Sequence, residues 1–192
     1  WRKTEVPDEF KGKLESILRS RMKGVCTARY LGYIRYFRYH SLEGFPFPWG
    51  WKDPRTTFTL AFWLRVFPGA KVLHVYRHGI DVAASLANRS NAALERHFAQ
   101  NYKRQSFFCL ESKLPHVIDS TRCFTLEGAF GLWEQYVMEA HRQLSALPDQ
   151  QCMEISYEEI LTSFPSSIEK LAHFSGLNIN FALVHDMNRK IR

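Results

Sequence analysis

Residues 71–89 read KVLHVYRHGIDVAASLANR, and the reading of this stretch decides the fold. Lys71 to Tyr76 is short and β-prone, the pattern of a buried strand. It ends at Arg77, Gly79 marks a tight turn, and a helix runs from about Gly79 to Arg89. Outward from it, the same alternation recurs. Upstream, Thr57 to Phe67 has Leu60, Ala61, Leu64 and Phe67 at helical spacing and stops at Pro68-Gly69. Downstream, Phe130, Trp133, Val137, Ala140 and Leu144 step by 3, 4, 3 and 4 within a helix over 127–147. Cys152 to Ser156 reads as a second buried strand, and Pro165 opens a short helix that Gly176 closes. Strands alternating with helices predict an α/β fold, a parallel sheet with helical crossovers.

The N-terminal part is helical by pattern. Residues 8–22 place Phe10, Leu14, Ile17 and Leu18 on one face. Residues 26–39 predict one helix dense in Tyr and Arg, with Tyr30, Ile34 and Phe37 packed inward. EGFPFPWGW (43–51) is a loop, and 91–124 reads as a helix to about Phe108 followed by an irregular loop with Pro115.

At 192 residues, against roughly 150 per domain, the length predicts one domain, or one and a fragment. With 45% hydrophobic and 23% charged residues it is an ordinary globular mixture, which excludes collagen, low-complexity chains and disulfide miniproteins. No apolar run reaches the roughly 18 residues of a membrane span. The 26 Lys and Arg against 19 Asp and Glu leave +7, which favours an anionic partner. The basic residues are spread along the chain, which argues against nucleic acid. Cys26, Cys109, Cys123 and Cys152 form no CxxC or CxxH, so they read as buried thiols or, at most, one Cys109–Cys123 bridge. His74 and His78 are four apart, but His74 lies on a strand, so no metal site is expected.

The candidate site follows from the strand-to-helix turn. In open α/β sheets ligands bind beyond the carboxyl ends of strands, where Arg77 stands. A helix start offers free N–H groups and partial positive charge to a phosphate. Asp81, Ser85 and Arg89 are four apart and share a helix face. Two arrangements fit this spacing. Arg77, Ser85 and Arg89 hold one phosphate together, or Arg77 pairs with Asp81 and Ser85 merely packs.

Four stretches then occur in order: WGWKDPR (49–55), FPGAK (67–71), RHGIDVAAS (77–85) and SYEEILTSFP (156–165). Together they resemble the sulfotransferase family that uses 3′-phosphoadenosine-5′-phosphosulfate (PAPS) as donor, closest to its bacterial and tyrosylprotein-type branches. The resemblance implies a P-loop-kinase-like α/β fold and sulfuryl transfer to a hydroxyl or amine of an acceptor: carbohydrate, small molecule or protein tyrosine. It assigns Arg77, Ser85 and Arg89 to the donor's 3′-phosphate, Tyr157 to the neighbourhood of the adenosine, and Lys52 to the transferring sulfuryl group, with no metal. It implies a helical part over 1–48, a nucleotide-binding core over 49–177 and a C-terminal segment over 178–192. A bacterial member would be cytoplasmic and a eukaryotic one Golgi-lumenal.

Two departures accompany the likeness. Nothing in 1–48 matches the family's glycine-rich 5′-phosphosulfate loop, which implies a fragment of the family fold or a chain without that loop. Where cytosolic members carry a catalytic histidine two residues after the lysine, this chain has Pro54, and Asp53 reads as structural. The alternative to an enzyme is a non-catalytic nucleotide- or polyanion-binding α/β module, with the basic aromatic helix 26–39 as its contact surface.

Overall fold

Pro7 leads into α1 (Asp8–Arg21), and α2 (Val25–Leu31), α3 (Tyr33–Tyr39) and α4 (Thr56–Val66) follow it in the first of two compact units, Trp1–Lys71 and Val72–Arg192. The computed structural model describes residues 7–23, 25–42, 45–104, 120–180 and 184. The expected helix end at Phe108, the loop with Pro115, Cys109 and most of 178–192 lie outside them. In α1 the inward stripe is Leu14, Leu18 and the following Met22, while Phe10 and Ile17 are exposed, contrary to the expected face. The Glu15 carboxylate ties α1 to α4 by an ion pair with Arg65 Nε at 3.4 Å.

The single helix expected over 26–39 is two. Gly32 sits between them at φ +78°, a left-handed conformation that glycine adopts without strain. This break resets the helical phase. Ala28 and Leu31 are buried in α2, and in α3 Tyr36 and Tyr39 turn inward, whereas Tyr30, Ile34 and Phe37 are exposed rather than packed.

The second unit holds the sheet. The β-branched and aromatic run Val72–Tyr76 forms β1, and Cys152–Ser156 forms β2. They pair in parallel, with Val72 opposite Cys152 and Tyr76 opposite Ser156. Between them run α5 (Gly79–Arg104), a 3-10 turn (Thr121–Phe124) and α6 (Leu126–Leu144), the long helical crossover that a parallel pair requires. A short α7 (Tyr157–Thr162) and α8 (Phe164–Ser175) complete the unit. This is an α/β architecture with helices flanking a small parallel sheet.

Helix α5 is continuous to Arg104 because no Gly or Pro follows Gly79 within it and its inner face, Ala83, Ala87, Ser90 and Ala93, keeps helical spacing. Ala83 meets Cys123 and Ala129 in a fully buried cluster, flanked by Leu86 and Leu132. Side chains this small let α5, α6 and the 3-10 turn approach closely. Thr125 Oγ1 caps α6 by accepting from Gly128 N at 3.1 Å. The strands are not buried on both faces as expected. Leu73 and Val75 are 41% and 47% exposed, because no described element covers that face of β1.

Candidate functional site

Arg77 follows the last residue of β1, and α5 begins two residues later. The turn between them is held from outside by α6. Trp133 Nε1 donates to the Arg77 carbonyl at 3.1 Å, and the Trp133 and Phe130 rings crowd Gly79. A Cβ at Gly79 would stand 2.6 Å from Trp133 Cζ3 and 2.8 Å from Phe130 Cε2, so only glycine fits. Position 79 is therefore a matter of space: the Trp133 and Phe130 rings fill the volume a side chain would need.

Beside this turn lies a cavity of about 580 Å³ between the β1 carboxyl end and α6, with Arg77, His78 and Glu158 at its polar margin and Ile80, Trp133 and Val137 among its apolar walls. The guanidinium of Arg77 is 5.4 Å from the Tyr157 ring centroid, a cation–π contact that links strand end to α7. It also donates to Asp81 Oδ2 at 3.1 Å, with the two side chains 48% and 52% exposed. Glu158 Oε1 accepts from the His78 backbone N–H at 3.0 Å. That N–H, with Glu158's own and the nearby Arg77 charge, holds the Glu158 carboxyl below its ordinary range.

Of the residues expected at the site, the turn brings Arg77 and Tyr157 together. Ser85 and Arg89 are exposed on α5, one and two turns beyond Asp81 on its helix face. The Arg77–Asp81 pairing, one of the two arrangements that fit the spacing, is present; the packing of Ser85 that went with it is not, since Ser85 is exposed. Lys52 is exposed in the first unit, on a turn that its neighbours make rigid. Asp53 accepts from Arg55 N at 2.9 Å, Nε at 3.0 Å and one terminal nitrogen at 2.7 Å, which holds its carboxyl below the ordinary range. Trp51 Nε1 donates to Thr56 Oγ1 at 3.1 Å, and its ring stands 4.7 Å from Trp63 and 5.8 Å from Trp49. An aromatic cluster thus fixes the backbone that carries Lys52.

Sequence reading missed Glu158 and Trp133. Ser156-x-x-Glu159 is a capping-box signature, and Ser156 Oγ does accept from Glu159 N at 3.0 Å. That signature would have started α7 at Tyr157 and put Glu158 in a helix's first turn. Nothing local marks Trp133 as more than a core residue. A further polar cluster lies on the α6 side of the sheet. His141 Nδ1 is 3.0 Å from Glu154, and the His74 Nδ1, 3.8 Å from the same carboxylate, is buried without a hydrogen-bond partner among the described residues. Burial holds the His74 imidazole below its ordinary value, against the pull of Glu154. Among the described residues no group of His, Cys, Asp or Glu is placed to hold a metal ion. No described helix is long and apolar enough to cross a membrane.

The parallel strand pair with its helical crossover, and the strand-to-helix turn at Arg77, place the chain among α/β proteins, in which ligands bind beyond the carboxyl ends of strands. Within that class, a family model described as the sulfotransferase family matches residues 9–180, and the chain belongs to that family. Membership carries the P-loop-like fold and an enzymatic role in sulfuryl transfer. Comparison with curated proteins and with solved structures gave no match.

Proposed function

We propose that this protein transfers a sulfuryl group from PAPS to a hydroxyl or amine of an acceptor, with the donor's 3′-phosphate bound by Arg77, Ser85 and Arg89. The observation that carries the reading is Arg77 itself: a half-exposed guanidinium at a strand's carboxyl end, beside a helix start and under the ring of Tyr157. In this reading Tyr157, whose ring contacts Arg77, flanks the adenosine next to that phosphate. The KDP segment, with Pro54 in place of a histidine, supports the bacterial or tyrosylprotein-type branch.

The chemistry is in-line displacement. The acceptor oxygen or nitrogen forms a bond to sulfur while the bridging S–O bond breaks, a general base takes the acceptor's proton, and the electron pair of the broken bond leaves with adenosine 3′,5′-bisphosphate (PAP). As in phosphoryl transfer, positioning and charge stabilisation outweigh covalent participation. The ammonium of Lys52, a compact point charge, offsets the charge that develops on the bridging oxygen. The Arg77–Asp81 pair does not obstruct the donor. Exposed pairs are worth about 0.2–1 kcal/mol, against about 1.5–3 kcal/mol for a hydrogen bond to a charged phosphate.

Calorimetry on the complete protein tests this directly. PAP is expected to bind more tightly than 5′-AMP by about 1.5–3 kcal/mol, Arg77→Ala to remove most of that margin, and Ser85→Ala about half. Equal affinities for the two nucleotides would refute the assignment. PAP binding without transfer to any of a panel of sugars, phenols and tyrosine peptides would favour a non-catalytic nucleotide module instead.

A further inference from the structure

The short helix α3 has a segregation that neither the core nor the nucleotide site explains. At about 100° per residue, Tyr33, Phe37 and Ile34 span roughly 100° of its circumference, Arg38 lies about 40° beyond Ile34, and Arg35 about 60° further. The opposite arc does the packing. Tyr36 Oη donates to the Lys23 carbonyl at 3.3 Å, and the Tyr39 ring meets Phe45 and Phe47 edge-on at 5.0 and 6.0 Å. The apolar arc is left in water: Tyr33 is 69%, Phe37 71% and Ile34 89% exposed. An isoleucine this open is the reverse of its usual placement, and three large apolar neighbours together form a patch rather than a scatter.

Charge says what covers it. Residues 25–42 contain no Asp or Glu, and Arg29, Arg35 and Arg38 are all exposed. None of these guanidiniums has a carboxylate partner among the described residues; Arg38 rests only over the Tyr39 ring, at 5.6 Å. A second copy of this surface would oppose cation to cation. An aromatic and aliphatic arc bordered by Arg38, on an acid-free surface whose other exposed cations, Arg29 and Arg35, have no carboxylate partner among the described residues, instead fits an interface that is apolar inside and anionic at its rim, which is the boundary of an acidic bilayer.

We propose that α3 is a membrane-surface docking element, which lays Tyr33, Ile34 and Phe37 into the headgroup boundary of an anionic bilayer while Arg29, Arg35 and Arg38 meet its phosphates. The contact is peripheral, since α3 is seven residues long and far short of a span. It is independent of the nucleotide chemistry.

Co-sedimentation of the complete protein with vesicles tests it, comparing phosphatidylcholine alone with a phosphatidylcholine–phosphatidylserine mixture. Binding to the mixture, weakened by salt and slight on phosphatidylcholine alone, is expected. The triple variant Arg29→Gln, Arg35→Gln, Arg38→Gln is expected to lower the partition coefficient about 100-fold, at about fivefold per basic residue. The pair Ile34→Ser and Phe37→Ser is expected to lower it while keeping the salt dependence. All five positions are exposed, and circular dichroism should match the parent. Absence of binding to the mixture at low salt would overturn the proposal. So would equal binding by the triple variant, capture of a poly-glutamate peptide in place of vesicles, or a dimer in solution that Ile34→Ser dissolves.

Discussion

The same chemical change, glycine to alanine, is expected to have opposite signs at two positions of this chain. At Gly79 the new Cβ would stand 2.6 and 2.7 Å from two carbons of the Trp133 ring and 2.8 Å from the Phe130 ring, where ordinary contact begins at 3.4 Å. The rings must therefore retreat by about 0.8 Å, and neither can fold away as a flexible chain would. Trp133 is also tethered by its hydrogen bond to the Arg77 carbonyl, so its retreat stretches that bond from 3.1 Å. Overpacking of this kind costs about 1–3 kcal/mol. For a chain of this size that lowers the melting temperature by about 2–4 °C per kcal/mol. Gly12 lies within α1, has nothing within 4 Å of an added Cβ and no left-handed φ. There alanine should stabilise by about 0.5–1 kcal/mol, through helix propensity alone. Thermal and urea unfolding followed by circular dichroism gives both values on one protein. If Gly79→Ala melts with or above the parent while Gly12→Ala behaves as stated, the strand-end turn is not wedged by α6 and the account of how Arg77 is held is wrong.

Lys52→Ala in the complete protein should bind PAP nearly normally while transferring sulfuryl at least about 100-fold more slowly, the cost of removing one transition-state charge donor. Lys52→Arg should restore little, and a parallel loss of PAP affinity and rate would make Lys52 a ground-state anchor instead. Asp81→Asn frees Arg77 from an exposed pair worth about 0.2–1 kcal/mol, so PAP should bind about 1.5- to 5-fold more tightly. Calorimetry showing weaker binding would mean that Asp81 orients the guanidinium rather than competing for it.

The legible parts of this chain were those governed by local rules. Cys152–Ser156 is a strand between a turn and a capping serine, and Gly176 at φ +70° ends α8 as its composition predicts. Arg77 could be placed at a strand end because period and glycine spacing suffice to find a strand-to-helix turn. What was hidden depends on partners distant in sequence. Whether Leu73 and Val75 are buried is decided by what covers that face of β1, and a run of apolar residues looks the same either way. Whether Ile34 points inward is decided by the φ of Gly32, which shifts the phase of every residue after it. Glu158 reaches His78 across 80 positions, a contact that no window could contain.

The resting electrostatics of the turn also bear on what can bind there. Both donors at the turn are already met by carboxylates, the Arg77 guanidinium by Asp81 and the neutral His78 N–H by Glu158. A carboxylate ligand would exchange one such contact for an equivalent one and gain almost nothing. A phosphate monoester differs in kind: at neutral pH it carries about −1.5 to −2 charges and three acceptor oxygens. It can take the guanidinium from Asp81 and still accept from further donors on the same helix face, where Ser85 and Arg89 are exposed. The two acidic side chains therefore act as a threshold on the proposed site, set above the charge of a carboxylate and below that of a terminal phosphate. In this account the 3′-phosphate, and not the adenine or ribose, separates PAPS from the adenine nucleotides that lack one.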